Sequence, residues 1–215
     1  MNKKGLFITL EGGEATGKTT QIKKIRNWLK ENKLPHLITR EPGGTNTAEK
    51  IRKIILSKNK PISIETEVFL IMAARIEHIN SKIIPALKKG KIVICDRFVD
   101  STTAYQVYGK KIEENLINTI HKYILNKMEP DLTFVLKANI STAMGRIKKR
   151  KTKNRYDKFS KNFYLNVQKA FIKIANRNKK RYIVLDNSEN TSKTEKIILK
   201  KFLNVYNNEK RYDKR

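Results

Sequence analysis

Apolar residues fall along this chain in two alternating rhythms. Short unbroken runs recur at Leu6–Leu10, His36–Thr39, Lys91–Cys95, Leu132–Leu136 and Tyr182–Leu185. The run Ile92-Val93-Ile94-Cys95 has no polar interruption, which predicts a parallel strand buried on both faces. Between the runs the spacing is helical. One helix is expected from about Thr19 to Asn32 on Ile22, Ile25, Trp28 and Leu29, ended by Pro35, and a second through Ala48, Ile51, Ile54 and Ile55. Pro61 breaks the chain. A long helix follows from Glu65, carrying Phe69, Met72, Ile76, Ile79 and Ile83, bent by Pro85 and stopped by Gly90. Further helices are expected at about 113–126, 142–149, 161–175 and 192–206, with the polar tail Asn207–Arg215 fraying. Strands alternate with helices, so the fold class is α/β: a five-stranded parallel sheet with helices on both faces. No repeat or long linker divides residues 1–215, so a single domain is expected, and ligands should sit at the carboxyl ends of the strands.

The first strand runs into Gly12-Gly13-Glu14-Ala15-Thr16-Gly17-Lys18-Thr19, with Thr20 next, and then into the first helix. Strand, glycine-rich turn and helix are in the order a P-loop requires. Gly12 and Gly17 let backbone N–H groups turn inward around a polyphosphate, and the helix N-terminus adds its dipole. Lys18 would set a positive charge against the β- and γ-phosphates of ATP, and the Thr19 hydroxyl would ligate Mg²⁺. The second strand ends in Arg40 and the third in Asp96-Arg97.

Composition adds less. The formal net charge is +28, from 48 Lys+Arg against 20 Asp+Glu. Nucleic-acid binding is one reading of that excess. Lysine, asparagine and isoleucine crowd the whole chain, however, and the lysines scatter over many helix faces. A compositional bias, with a secondary role in attracting anionic substrates, is the better account. The single cysteine, Cys95, cannot form an internal disulfide and is expected to be a buried thiol. No signal-peptide pattern heads the chain and no apolar stretch reaches membrane-spanning length, so the expected setting is cytoplasmic, without a membrane or nucleic-acid partner.

Several short motifs now line up. Thr39-Arg40-Glu41-Pro42-Gly43-Gly44-Thr45, Ala73-Ala74-Arg75, Asp96-Arg97-Phe98 and Ser101-Thr102-Thr103-Ala104-Tyr105-Gln106 follow the P-loop in order. With them the chain resembles bacterial thymidylate kinases over nearly its whole length. The resemblance implies a P-loop nucleotide kinase fold and transfer of the ATP γ-phosphoryl to dTMP, giving dTDP and ADP. It also implies Mg²⁺ with ATP, and a homodimer. Arg97 and Arg40, each just past a strand, are candidates to hold the acceptor phosphate, and Asp96 to hold Mg²⁺ as a Walker-B acid does. By the same resemblance Glu14 would accept a hydrogen bond from the sugar 3′-hydroxyl, and Arg75 and Thr102 would read the thymine edge. Tyr105 would favour deoxyribose, with Ser101 and Gln106 beside it.

Two positions depart from the family. Ile71 stands where relatives place a phenylalanine that stacks on thymine, with Phe69 two residues earlier, and Asn154-Arg155 stands where many relatives have Asp-Arg. The stretch from Arg146 to Lys161 carries nine cations against one carboxylate, Asp157. It matches the family's mobile lid over ATP, a basic lid at about 146–161. No arginine lies inside the P-loop, so the resemblance is to the group that supplies one from the lid. Arg150 and Arg155 are the catalytic candidates there, alongside Lys18 and Arg97, with Arg146 packing on adenine. A P-loop kinase for another nucleotide or nucleoside, kept open by Ile71, and a nucleic-acid-binding P-loop ATPase are the alternatives.

Overall fold

The computed structural model describes residues 5–57, 62–152, 154–189 and 192–212. The break expected at Pro61 and the last three residues of the tail lie outside them. Five strands, β1 (Leu6–Glu11), β2 (His36–Arg40), β3 (Ile92–Asp96), β4 (Leu132–Lys137) and β5 (Tyr182–Asp186), form one parallel sheet in the order β2-β3-β1-β4-β5. All five begin within a residue of expectation. The register pairs Leu10 with Asp96 and Arg40 with Asp96, so the chemistry-bearing ends of β1, β2 and β3 stand level.

Helices cover both faces. On one, Ile8, Leu10, Ile94, Phe134 and Leu136 pack under Ile22, Ile25 and Leu29 of α1 (Lys18–Glu31) and Ile198 and Phe202 of α9 (Ser192–Tyr212). On the other, Phe7, Val93 and Cys95 meet Ile79, Ile83 and Ala86, while Val135 meets Val167 and Phe171 of α8 (Lys161–Asn176). Because β1 and β3 are buried on both sides, their continuous apolar sequence follows directly.

Three features differ from the sequence expectation. The long helix changes its hydrogen-bond pattern just before Pro85, not at it. The rod formed by α3 (Ile64–His78) passes through a π turn at Ile79–Ile83 into α4 (Ile84–Lys88). The Ile84 N–H reaches back to Ile79 O, and the proline then falls in the first turn of the new helix, where its missing donor costs nothing. Phe69 and Ile76, expected in the core, face solvent instead. Met72, Ile79 and Ile83 are buried as their spacing suggests, together with Val68, Ile71 and Arg75, so helical spacing found the helix and most of its inner side but misplaced Phe69 and Ile76. The last helix, expected to end at about 206, runs on as α9 to Tyr212.

Other elements complete the frame: α2 (Asn46–Leu56), capped by the Thr45 hydroxyl, α6 (Glu114–Leu125) and α7 (Ile140–Lys148). The segment α5 (Val99–Thr102), continued by a π-helical turn at Thr103–Gly109, had no legible helical pattern. A single 3₁₀ turn at Arg155–Lys158 lies inside the basic stretch.

Phe134 is fully buried between β1, α1 and α9. Phe134→Ala should destabilise the fold by about 3–5 kcal/mol, from lost burial plus the cavity left behind. Urea unfolding monitored by circular dichroism measures it; a loss under about 1 kcal/mol would show that the two layers collapse onto the gap.

Candidate active site

Between β1 and α1 the chain makes the expected phosphate-ringing turn. Gly12 has φ +136, and a Cβ there would lie 2.2 Å from the Leu136 carbonyl oxygen, so only glycine lets the loop pass β4. Lys18 Nζ donates to Gly12 O at 3.0 Å and Gly13 O at 2.8 Å, spanning the loop from inside. Burial and the neighbouring Arg97 charge push its pKa down to about 8. Thr16 Oγ1 donates to Gly13 O at 3.1 Å and its carbonyl accepts from Asn187 Nδ2 at 2.7 Å, fixing the loop to the segment after β5. Thr19 and Thr20 are exposed on the first turn of α1.

A cavity of about 220 Å³ opens at the ends of β1 and β3, lined by Glu14, Lys18, Thr19, Asp96 and Arg97 on its loop side. Arg97 occupies its centre. Its backbone is left-handed, φ +70, with its N–H held by Leu10 O at 3.0 Å. Its Nη1 donates to Gly12 O at 2.9 Å and Ser101 Oγ at 3.1 Å. Its Nη2 donates to Glu14 Oε1 at 2.7 Å and the Tyr105 hydroxyl at 3.1 Å. Burial opposes the charge, but Tyr105 and the carboxylates of Glu14, Asp96 and Glu11 outweigh it, so Arg97 stays cationic. Burial likewise opposes ionisation of Glu14. Arg97, Lys18 and Arg150 overcome it and hold that carboxyl down at about 2.

The far wall is built around Arg75, fully buried on α3. Its Nε donates to Glu41 Oε2 at 2.7 Å, Nη1 to His121 Nε2 at 2.7 Å and to the Met72 sulfur, and Nη2 to Phe98 O at 3.2 Å and Thr102 Oγ1 at 3.0 Å. All five guanidinium N–H groups are therefore engaged. Burial and the facing Arg75 lower the His121 pKa to about 3, so its ring is neutral and free to accept. Glu41 also accepts from His78 Nδ1 at 3.0 Å. Gly44 approaches the same histidine so closely that a Cβ would meet the ring at 2.5 Å. Ile71 and Phe98 line this wall, whereas Phe69 is 58% exposed and takes no part in it.

The structure brings Glu14, Lys18, Thr19, Ile71, Arg75, Asp96, Arg97, Ser101, Thr102, Tyr105, Gln106 and Arg150 to one cavity. It does not bring Arg40 there. Arg40 is exposed, pairs with Glu49 at 2.8 Å and borders an adjoining open hollow. Arg52 enters the cavity instead, from α2, with its Nη1 on Pro42 O at 2.8 Å. Helical phase rather than strand ends selects it, a signal present in the sequence but weak.

The basic stretch closes over the loop side. Arg150 Nη1 donates to Asp157 Oδ1 at 2.7 Å and Glu14 Oε2 at 3.2 Å. Arg146 stands outside the P-loop, donating to Ala15 O and Asn187 O, each at 3.2 Å. Arg155 turns the other way and pairs with Glu67 of α3, away from the loop. Glu67, fully buried, also accepts from Gln106 Nε2 at 2.7 Å, Lys110 Nζ at 2.6 Å and the Tyr156 hydroxyl at 2.8 Å. Asn154 caps the 3₁₀ turn, its Oδ1 accepting from Tyr156 N at 2.8 Å while its N–H meets Asp157 Oδ2 at 2.9 Å. Glu11, Glu41 and Glu67 were not among the expected site residues. The one trace of Glu11 in the sequence is a carboxylate closing an otherwise apolar strand.

Among the described residues no helix is long and apolar enough to cross a membrane. A sequence profile described as thymidylate kinase matches residues 10–198. The chain is 39% identical over 201 residues to the thymidylate kinase of Acholeplasma laidlawii, covering 92% of this chain and 98% of that one. It is 45% identical over 174 residues to the thymidylate kinase of Wolbachia pipientis wMel, covering 79% and 85%. The crystal structure of thymidylate kinase from Ehrlichia chaffeensis superposes with a TM-score of 0.70 at 33% identity, covering 86% of this chain and 88% of that one. By motif order, sheet topology and these similarities, the chain belongs to the thymidylate kinase family.

Proposed function

We infer that this chain transfers the γ-phosphoryl group of ATP to dTMP, giving dTDP and ADP. The observation that carries the reading is the Arg97 guanidinium, hydrogen-bonded at once to the P-loop carbonyl of Gly12 and to Glu14 inside the shared cavity. A donor-phosphate loop and an acceptor-side cation meet there within one side chain. Two phosphate anions must be brought together, and positioned cations offset their repulsion. Lys18 serves the donor phosphates, while Arg97 and Arg52 serve the acceptor phosphate.

The base is read on the far wall. Thr102 and Arg75 stand there, and Arg75 would exchange its weak Met72 sulfur contact for a base oxygen. Ile71 and Phe98 cover the base faces. Tyr105 and Glu14, already bonded at 3.2 Å, take the sugar. The family relationship favours dTMP over the nucleic-acid ATPase and over other nucleotide acceptors. An ADP-release assay across dTMP, dUMP, dGMP, dCMP and thymidine tests it: dTMP should give the highest kcat/KM. Turnover stimulated by DNA and indifferent to dTMP would replace the reading.

Mg²⁺ fits the site. Asp96 Oδ1 is buried and carries no hydrogen bond among the described residues, and Thr19 lines the same cavity. Asp96 and Thr19 would hold the ion when ATP is bound, and it would supply neutralisation of the phosphate charge. The fold reads as one domain with a lid at about 146–161, and the setting as cytoplasmic. A homodimer is supported by apolar side chains left bare on neighbouring helices, Phe69 and Ile76 on α3 and Leu116 and Tyr123 on α6. Phe69→Glu should convert a dimer to monomer in sedimentation velocity; a chain that already sediments at 25.1 kDa excludes the dimer.

The Arg150–Glu14 contact supports Arg150 as the lid arginine that meets charge developing at the β–γ bridge. Arginines delivered this way contribute about 10³–10⁵ in rate in GTPases. Arg150→Ala should lower kcat at least about 100-fold. Arg155→Ala should cost no more than about tenfold, because Glu67 holds that side chain elsewhere. On the acceptor side, Arg52→Ala should raise KM for dTMP about tenfold and Arg40→Ala less than about threefold. Equal losses at Arg150 and Arg155, or at Arg52 and Arg40, would remove these distinctions; steady-state kinetics with both substrates varied decides.

A further inference from the structure

Beneath the cavity floor, β1 ends in a carboxylate that touches no substrate position. Glu11 is wholly buried. Its Oε1 accepts the Phe98 N–H at 2.6 Å and its Oε2 the Ser101 hydroxyl at 2.6 Å. Both partners belong to the segment that carries Arg97. Ser101 Oγ in turn accepts from Arg97 Nη1 at 3.1 Å.

The order of donors matters. A serine hydroxyl has one hydrogen. Burial and the nearby Asp100 push the Glu11 pKa up to about 7, against the pull of Ser101 and Arg97. In the ionised form the carboxylate takes the serine hydrogen and leaves only lone pairs facing Arg97, which itself can only donate. The serine is thereby locked as an acceptor for the guanidinium. At the backbone, Arg97 holds a left-handed conformation that a side-chain-bearing residue rarely adopts. It is pinned on both sides, by its own N–H on Leu10 O at 3.0 Å and by the next N–H on Glu11. A neutral hydrophobe at position 11 would leave that buried Phe98 donor unmet.

We propose that Glu11 is a positioning residue for the acceptor-phosphate arginine, fixing the 97–101 backbone and the direction of the Ser101 hydroxyl so that Ser101 holds the Arg97 guanidinium in the cavity. The proposal rests on the role given to Arg97 above. It assigns a function to a side chain that neither binds ATP nor lines the cavity, and it gives Ser101 a second duty.

Glu11→Gln separates positioning from packing. The amide keeps the size, and its carbonyl oxygen still accepts from Phe98. Its NH₂ now donates to Ser101, so one serine lone pair is taken, the hydroxyl hydrogen loses its fixed direction, and Ser101 no longer offers Arg97 a locked acceptor. Calorimetry should show dTMP affinity falling about tenfold with ATP affinity within about twofold of the parent, at unchanged melting temperature. In a Ser101→Ala background the same substitution should cost under about twofold, since the relay is already broken. Equal weakening of ATP and dTMP, or an undiminished cost in that background, overturns the proposal.

If Glu11→Gln does not fold, Ser101→Ala alone and in an Arg97→Ala background decides. The relay requires its dTMP cost to vanish without Arg97. A cost that persists shows Ser101 acting directly on the nucleotide and removes the inference. Arg97→Ala that spares dTMP would instead sink the parent reading, whereas loss at Arg97 with none at Glu11 removes this proposal alone.

Discussion

A cation that is to meet a phosphate inside a cavity must first be withdrawn from water and kept charged there. An unpaired buried guanidinium is prohibitive, and breaking a buried pair from one side typically costs about 3–5 kcal/mol. The site answers by giving its arginines carboxylates: Arg97 with Glu14, Arg75 with Glu41, Arg150 with Asp157 and Arg155 with Glu67. Those carboxylates come from the P-loop, the end of β2, the basic stretch and α3, so the elements must hold register for the charges to match. The parallel sheet supplies that register, since β1, β2 and β3 end level. Net interaction energies of such pairs are modest. What they supply is orientation, because each guanidinium fork is fixed in plane before any substrate arrives.

Much of this was legible in the chain. Strands buried on both faces write themselves as unbroken apolar runs, and the P-loop glycines announce a backbone that L-residues avoid. Arg97 and Asp96 follow because strand ends in such sheets face the ligand crevice, whereas Tyr105 was named only through the family resemblance. Other features were closed to sequence reasoning for physical reasons. Ile54, Phe69 and Ile76 share helical spacing with core residues and yet are exposed, because spacing does not say which side finds a neighbour. Arg40 satisfied the strand-end rule, yet β2 is an edge strand and its last side chain leans to solvent and Glu49. Arg52 reaches the cavity only through the packing of α2 on α3. Glu11, Glu41 and Glu67 resemble surface carboxylates until the fold buries them against donors.

The departures from the family pattern find local explanations. Asn154 replaces an aspartate without loss of the turn, because its amide oxygen caps the 3₁₀ helix as a carboxylate would and Asp157 closes the capping box. Ile71 retains burial and a place on the cavity wall while giving up an aromatic face, and Phe98 stands opposite Arg75 with its ring 5.5 Å from the guanidinium carbon.

Glu14 is held from two directions, by Arg97 through one oxygen and by Arg150 through the other. On the roles proposed above, one arginine belongs to the acceptor side and one to a lid, which makes a single carboxylate common to both halves of the reaction. A sugar hydroxyl that engages it must redistribute both bonds. Linkage then makes the effect mutual: whatever factor acceptor binding imposes on lid closure, lid closure imposes on acceptor binding. The coupling between the two sides therefore passes through the shared oxygens of one P-loop side chain.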